Sequence, residues 1–229
     1  MIKSGDYFAI MRLDGLDPMI MYGTGSHSGH TTMALRFDGE LYIIESQDAW
    51  YWPKHRIQRN KFSDWIKMAE DCDFHVTYMP LSDEMRAKFN ETAAVEFFNR
   101  TEGLPYGYHN FLYGWVDTPN DNWPLILPRD LVPIAFSIIE RFDKNLTDIF
   151  FTDSLNKKLN TTGLNITGIA ATGSKIGMNV SDVMAIVEKD GWKYTGFWHD
   201  GKSMVCSAYV SAAWKAAGLF GDMPFNAVE

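Results

Sequence analysis

Apolar residues recur with two different periods along this chain, and the change of period divides it. Tyr7–Leu13 is mostly apolar and runs into the turn pairs Asp14-Gly15 and Asp17-Pro18, after which Met19–Tyr22 is a second short apolar run. The small polar loop Gly23–Gly29 follows. Thr31–Phe37 and Glu40–Ser46 then flank Asp38-Gly39, the strongest short hairpin signal in the sequence. The first third therefore reads as strands. Helical spacing takes over at Ser63–Glu70 and Ser82–Arg100, each opening on a serine suited to an N-cap. The second carries Met85, Phe89, Ala93 and Phe97 at helical spacing, and Gly103 and Pro105 close it.

Residues 117–180 lose this regularity. Pro119, Pro124, Pro128 and Pro133 lead into an Asn/Thr/Gly-rich stretch in which one helix is expected, near Leu131–Arg141. Ser181–Lys189 reads as another short helix, and Val205–Ala217 as a last one ended by Gly218 at C′. Strands first and helices later, without regular βα alternation, predict an α+β fold. The expectation is a single domain over residues 1–229, with 117–200 as an irregular insertion or lid.

Composition narrows the partners. The 229 residues are 46% apolar and 22% charged, an ordinary globular balance. Lys plus Arg is 21 against 29 acids, a net charge of −8, which argues against nucleic acid and against a polybasic membrane anchor. The longest apolar candidate, Leu131–Ile139, falls well short of the roughly 20 residues of a membrane span, so no transmembrane segment is expected. Met1–Asp6 is polar, unlike a signal peptide. Six N-x-S/T sequons, at Asn90, Asn99, Asn145, Asn160, Asn165 and Asn179, exceed the one to two that chance would supply. One reading is polar loops in a cytoplasmic protein. The other is glycosylation of a secreted or lysosomal domain whose signal lies outside this chain, and the excess favours it.

The familiar signatures fail. Gly23, Gly25 and Gly29 do not form G-x-G-x-x-G, Thr172–Lys175 is not a P-loop, and Gly25–Gly29 has His27 where a nucleophile elbow needs serine. His27 and His30 alone do not make a metal site. A better constellation is Cys206, His30 and Glu45. With Asp38-Gly39 as a two-residue turn, Phe37 pairs with Glu40, His30 lies opposite Gln47 and Glu45 lies opposite Thr32. His30 and Glu45 then become same-face diagonal neighbours, roughly 7–8 Å apart at the backbone. A carboxylate there fixes the imidazole tautomer and favours its charged form; Gln47 is the rival for that place. Cys206 opens the last helix, where free amides and the dipole favour a thiolate. Cys72, between Asp71 and Asp73, reads as structural, and the two cysteines are expected to stay unjoined.

These residues belong to blocks that resemble a known family. Gly5-Asp6 opening a strand, Ser28-Gly29-His30-Thr31-Thr32-Met33-Ala34-Leu35 with Glu45 on the next strand, Leu104-Pro105-Tyr106-Gly107-Tyr108, and Val205-Cys206-Ser207-Ala208-Tyr209-Val210 with Ala217-Gly218-Leu219 resemble the circularly permuted NlpC-type papain-fold cysteine peptidases (YiiX/YebB-like). The resemblance covers about 110 residues in separated blocks. It implies a permuted papain-like fold, His30 as base, Glu45 as orienting residue and Cys206 as nucleophile of a peptidase or amidase, with no cofactor. The substrate expected is a peptide or amide, the alternative an acyl lipid handled by a thiol acyltransferase or esterase on the same fold. A further alternative is a non-catalytic module of a larger secreted protein. Tyr22, Gln47, Tyr106 and His199 are the candidates for lining the cleft, with Trp50 and Trp52 as subsite walls. No oligomeric state follows from the sequence.

Overall fold

The protein is described here by a computed structural model covering residues 1–13, 15–48, 56–113, 116–117, 127–128, 130–186, 194–195, 200–201, 204–221 and 223. In chain order its elements are β1 (Tyr7–Met11), α1 (Asp17–Thr24), β2 (His30–Phe37), β3 (Glu40–Ser46), β4 (Ile57–Lys61), α2 (Phe62–Asp71), β5 (His75–Met79), α3 (Asp83–Lys88) and α4 (Glu91–Thr101). There follow α5 (Tyr108–Tyr113), the two-residue strands β6 (Val116–Asp117) and β7 (Leu127–Pro128), α6 (Val132–Ile139), α7 (Lys144–Thr147), a π-helical turn (Asp148–Thr152), α8 (Asp153–Lys158), α9 (Ile166–Lys175) and α10 (Val180–Met184). The two-residue strands β8 (Tyr194–Thr195) and β9 (Asp200–Gly201) precede α11 (Cys206–Ala216). The class is α+β. The chain divides into two compact units, Met1–Tyr106 with Met204–Val228, and Gly107–Ser203.

The first unit is built on an antiparallel sheet in the order β4-β3-β2-β1-β5. Asp38 and Gly39 both adopt positive φ, 50° and 82°, the two-residue type I′ geometry whose twist matches a hairpin. The turn locks Phe37 against Glu40 and Met33 against Ile44, the register read from the sequence. Strand alternation then sorts the core. Met33, Leu35, Phe37, Ile44 and Ile57 bury against Ala94 and Phe98 of α4 and Ala208, Tyr209 and Ala213 of α11. Phe8, Ile10, Ala34 and Ile43 bury against Trp65 and Ala69 of α2. The sheet is thus covered by helices on both faces. Its start is clasped by Asp6, a buried carboxylate that accepts from the amides of Lys3 (2.9 Å) and Leu81 (3.1 Å), the Tyr78 hydroxyl (2.7 Å) and Arg86. Burial alone would raise its pKa, but these donors together hold it below the usual value.

Several expected elements are corrected. Met19–Tyr22 is helical, inside α1: Pro18 presets the first turn, Asp17 favours its positive end, and Gly25 at φ 66° ends it. Ser63 lies within α2, whose N-cap is Lys61. Ser82 does cap a helix, accepting from the Met85 amide, but the expected Ser82–Arg100 helix breaks in two. Phe89 is extended, Asn90 donates its amide to Ala217 O at 2.9 Å, and its side chain caps α4. Strands β4 and β5 were not read at all. The last helix ends as expected, with Gly218 at φ 83° after Ala217.

In the second unit the stretch expected to be irregular is largely helical between residues 130 and 186. Leu112, Val132, Phe151, Leu155, Ile166, Ile169, Val183 and Met184 form its own apolar cluster. The helix expected near Leu131–Arg141 is α6, and the one expected over Ser181–Lys189 is α10, starting at Val180 with residues 187–189 outside the described set. While Val132 points inward, Leu131, Ile134 and Ile138 are more than half exposed.

All six sequon asparagines are exposed, and the backbone explains four of them. Asn90, Asn165 and Asn179 are N-caps whose side-chain oxygens accept from the amides of Ala93, Gly168 and Asp182 at 3.0, 2.9 and 2.8 Å. Asn160 sits at φ 55°, a conformation asparagine tolerates well. At Asn90, Asn165 and Asn179 the sequon is a helix-start pattern. In protein made without glycosylation, Asn165→Asp and Asn179→Asp should leave the denaturation midpoint nearly unchanged, whereas alanine at either position should cost about 1 kcal/mol. Chemical denaturation of the four variants measures it.

Candidate active site

The hairpin places two polar side chains in a buried pocket of polar neighbours that includes Thr31, Gln47, Gln58 and Asn60. His30 opens β2 and Glu45 lies near the end of β3, both buried at 2% and 1% exposure. His30 Nε2 lies 2.9 Å from Glu45 Oε2. The other carboxylate oxygen, Oε1, accepts from Asn60 Nδ2 on β4 at 2.9 Å. The β3–β4 ladder pairs Glu45 with Gln58, so Asn60 is its diagonal neighbour on the same face. The carboxylate is held from two strands, and its orientation toward the imidazole is fixed.

The thiol arrives from the far end of the sequence. Cys206 is the first residue of α11, after Val205, an N-cap with no oxygen to accept from the first-turn amides. Its approach is set by Met204, whose carbonyl accepts from Ser46 Oγ at 2.6 Å and which bridges in parallel to Tyr106. Tyr106 itself is steered by Leu104, whose carbonyl accepts the Ile57 amide at 2.9 Å, and by the bridge between Arg56 and Pro105. The sulfur lies beside His30, Thr31 and Tyr106, near enough for each to act on its ionisation. With Nε2 engaged by Glu45, Nδ1 is the ring nitrogen left for the thiol.

Electrostatics push the two partners in opposite directions. Burial opposes ionisation of Cys206, but the hydrogen bond to His30, the imidazolium charge and the Thr31 amide outweigh it and bring the thiol below its ordinary value. Burial and the Arg12 guanidinium both press His30 toward neutrality, yet its bonds to Cys206 and Glu45 raise it to about 9. Burial first, then the charges of Cys206 and Asp48, hold Tyr106 protonated, well above its ordinary value, so its hydroxyl remains a donor toward sulfur. Such a set favours thiolate beside imidazolium and can hold a negative charge without water.

The structure therefore brings Cys206, His30, Glu45 and Tyr106 together, and Tyr106 lies against the sulfur. Gln47 is buried but lies with its Oε1 3.5 Å from Arg12 Nη1, leaving the imidazole to Glu45. Tyr22 is 88% exposed on α1, open to solvent. His199, Trp50 and Trp52 lie outside the described residues. Cys72 is exposed just past α2, and both cysteines are free. Among the described residues no group of three His, Cys, Asp or Glu is placed to hold a metal, and no helix is long and apolar enough to cross a membrane. Sequence reasoning missed Asn60, Thr31, Arg12 and Asp17. Only Thr31 carried a signal, as a polar residue in the largely apolar β2; Asn60 lies in a mostly polar strand, Arg12 just past β1, and Asp17 opens a helix.

No protein-family model matches the chain, and no curated protein matches it. Among solved structures, the metalloprotein yiiX from Escherichia coli O157:H7 matches 47% of this chain and 54% of its own, at 20% identity and a TM-score of 0.33. The match spans about half of that protein. It is the side-chain geometry described above that bears on chemistry.

Proposed function

We propose that this protein is a thiol hydrolase of the amidase or peptidase type, on a circularly permuted papain-like fold in which the histidine strand precedes the cysteine helix. What carries the reading is one buried imidazole held at 2.9 Å by a carboxylate and coupled to the thiol of Cys206 at a helix start. Cys206 Sγ attacks the substrate carbonyl, forming a C–S bond while the carbonyl electrons move onto oxygen. In this reading the first-turn amides of α11 and the Tyr106 hydroxyl receive that charge. Collapse of the intermediate breaks the C–N bond, and His30 gives its proton to the departing amine. Water then attacks the thioester with His30 taking its proton, and the C–S bond breaks to release the acid and return thiolate and imidazolium. Glu45 keeps the imidazole oriented throughout, and Asn60 keeps Glu45.

A second reading is favoured by the apolar face that α6 leaves exposed at Leu131, Ile134 and Ile138. In it the acyl donor is a lipid ester, and the same thioester forms with an alcohol as leaving group. Incubation with phosphatidylcholine vesicles should then add a fatty-acyl mass to Cys206, whereas the amidase reading expects none; intact-mass analysis with peptide mapping decides.

The thiolate itself is testable without knowing the substrate. At pH 6 iodoacetamide should modify Cys206 at least about tenfold faster than Cys72, despite the greater exposure of Cys72. Equal rates by peptide mapping would sink the hydrolase reading. Glu45→Gln should act through charge. Glu45 raises the imidazole, so removing its charge lowers His30 from about 9 and withdraws the imidazolium that favours the thiolate. The His30 midpoint should fall by about one unit, and the pH at which Cys206 alkylation responds to His30 ionisation should fall with it. NMR titration of the imidazole, with the alkylation profile, gives both numbers.

A further inference from the structure

Arg12 and Asp17 form a bidentate ion pair, Nε to Oδ2 at 2.6 Å and Nη2 to Oδ1 at 2.8 Å, and neither residue is more than 2% exposed. A buried pair of this kind adds little net stability over an apolar replacement, so its location is the informative part. Arg12 directly follows β1, whose Ile10 is the register partner of His30. Asp17, the first residue of α1, lies against the chain just before His30. A Cβ on Gly29 would fall 2.5 Å from Asp17 Cβ and 2.8 Å from its Cα, so only glycine lets the two segments approach. The Gly29 amide donates to Ile10 O at 3.1 Å, completing the clamp. On the opposite side Arg12 Nη1 reaches Gln47, just past the end of β3, at 3.5 Å.

The charged and titratable groups that face His30 are therefore Arg12 at the end of β1, Glu45 on β3 and Cys206 on α11. Tyr106 faces the sulfur, with Asp17 and Asp48 acting on it. The guanidinium opposes a second positive charge on the imidazole, and Asp17 is a carboxylate in contact with it.

We propose that Arg12 and Asp17 are a positioning pair for His30, Asp17 fixing the strand backbone at Gly29 and neutralising the guanidinium so that the imidazole can hold a proton beside the thiolate. This rests on the thiol hydrolase reading and extends it to residues that touch neither substrate nor sulfur. The Asp17→Asn variant keeps the shape and removes the charge. Its His30 midpoint, followed by imidazole NMR, should fall by one unit or more. Removing both charges in Arg12→Gln/Asp17→Asn should bring the midpoint back toward that of the unaltered protein. A purely structural role does not predict that recovery. Arg12→Gln alone should move the midpoint the other way, upward, and serves if Asp17→Asn does not fold.

An unchanged midpoint in Asp17→Asn, or in Arg12→Gln where that variant is used, would overturn the proposal, as would a double variant no closer to the unaltered protein than Asp17→Asn. Failure of the hydrolase reading shows separately, as equal alkylation of Cys206 and Cys72 in the unaltered protein. The imidazole titrations still decide the pairing in that case.

Discussion

An imidazole and a carboxylate on neighbouring strands meet only when the ladder between them is in one register, and in this protein a turn of two residues sets that register. Asp38 and Gly39, both at positive φ, place Phe37 against Glu40, and every pair down the hairpin follows. A slip of one residue would send Glu45 to the opposite face and Ile44 into its place. It would also move Met33 and Leu35 out of the cluster they share with α4 and α11. The apolar core therefore enforces the polar contact. His30 and Glu45 lie 2.9 Å apart because the alternation around them has no second satisfactory solution.

Two buried carboxylates in the first unit show how the same group is put to different uses. Asp6 is saturated by the Lys3 and Leu81 amides, the Tyr78 hydroxyl and Arg86, all permanent donors, and it ties β1 to α3 and the end of β5. Glu45 has one permanent donor, Asn60, and one partner that titrates, His30. The first arrangement holds structure. The second leaves a proton free to matter, since the charge on His30 answers to Glu45, to the Cys206 sulfur and to Arg12.

Much of this was legible from residue order. The hairpin register, the diagonal relation of His30 to Glu45 and the helix opening at Cys206 follow from period, turn chemistry and capping, because those positions obey local rules. The missed parts break such rules for a reason. The β4 strand, Ile57-Gln58-Arg59-Asn60-Lys61, shows no apolar alternation since its inward face carries Gln58 and Asn60, and Asn60 is spent on Glu45. Helix α1 hides behind a short apolar run that Pro18 and Asp17 turn helical. The stretch from Asp143 to Asp182 reads as loops because its Asp and Asn residues resemble turn formers, whereas Asp143, Asn165 and Asn179 each start a helix. The role of Arg12 and Asp17 has no local signature, because it arises from Gly29 lacking a side chain.

The helix break at Phe89–Asn90, with the Asn90 amide on Ala217 O, fastens the end of α11 to the middle of the chain. That fastening belongs to the class of distant contacts, like Ser46 on Met204 across 158 residues, whereas His30 reaches Glu45 across only 15. Closing the longer loop costs about 2 kcal/mol more in chain entropy. The two halves of the thiol–imidazole couple thus differ in how readily they assemble. The imidazole and its carboxylate come together within one hairpin, while the sulfur joins them only when the last helix docks. A fluctuation that releases α11 parts the sulfur from the histidine before it disturbs the sheet, so the couple disassembles by losing its thiol first.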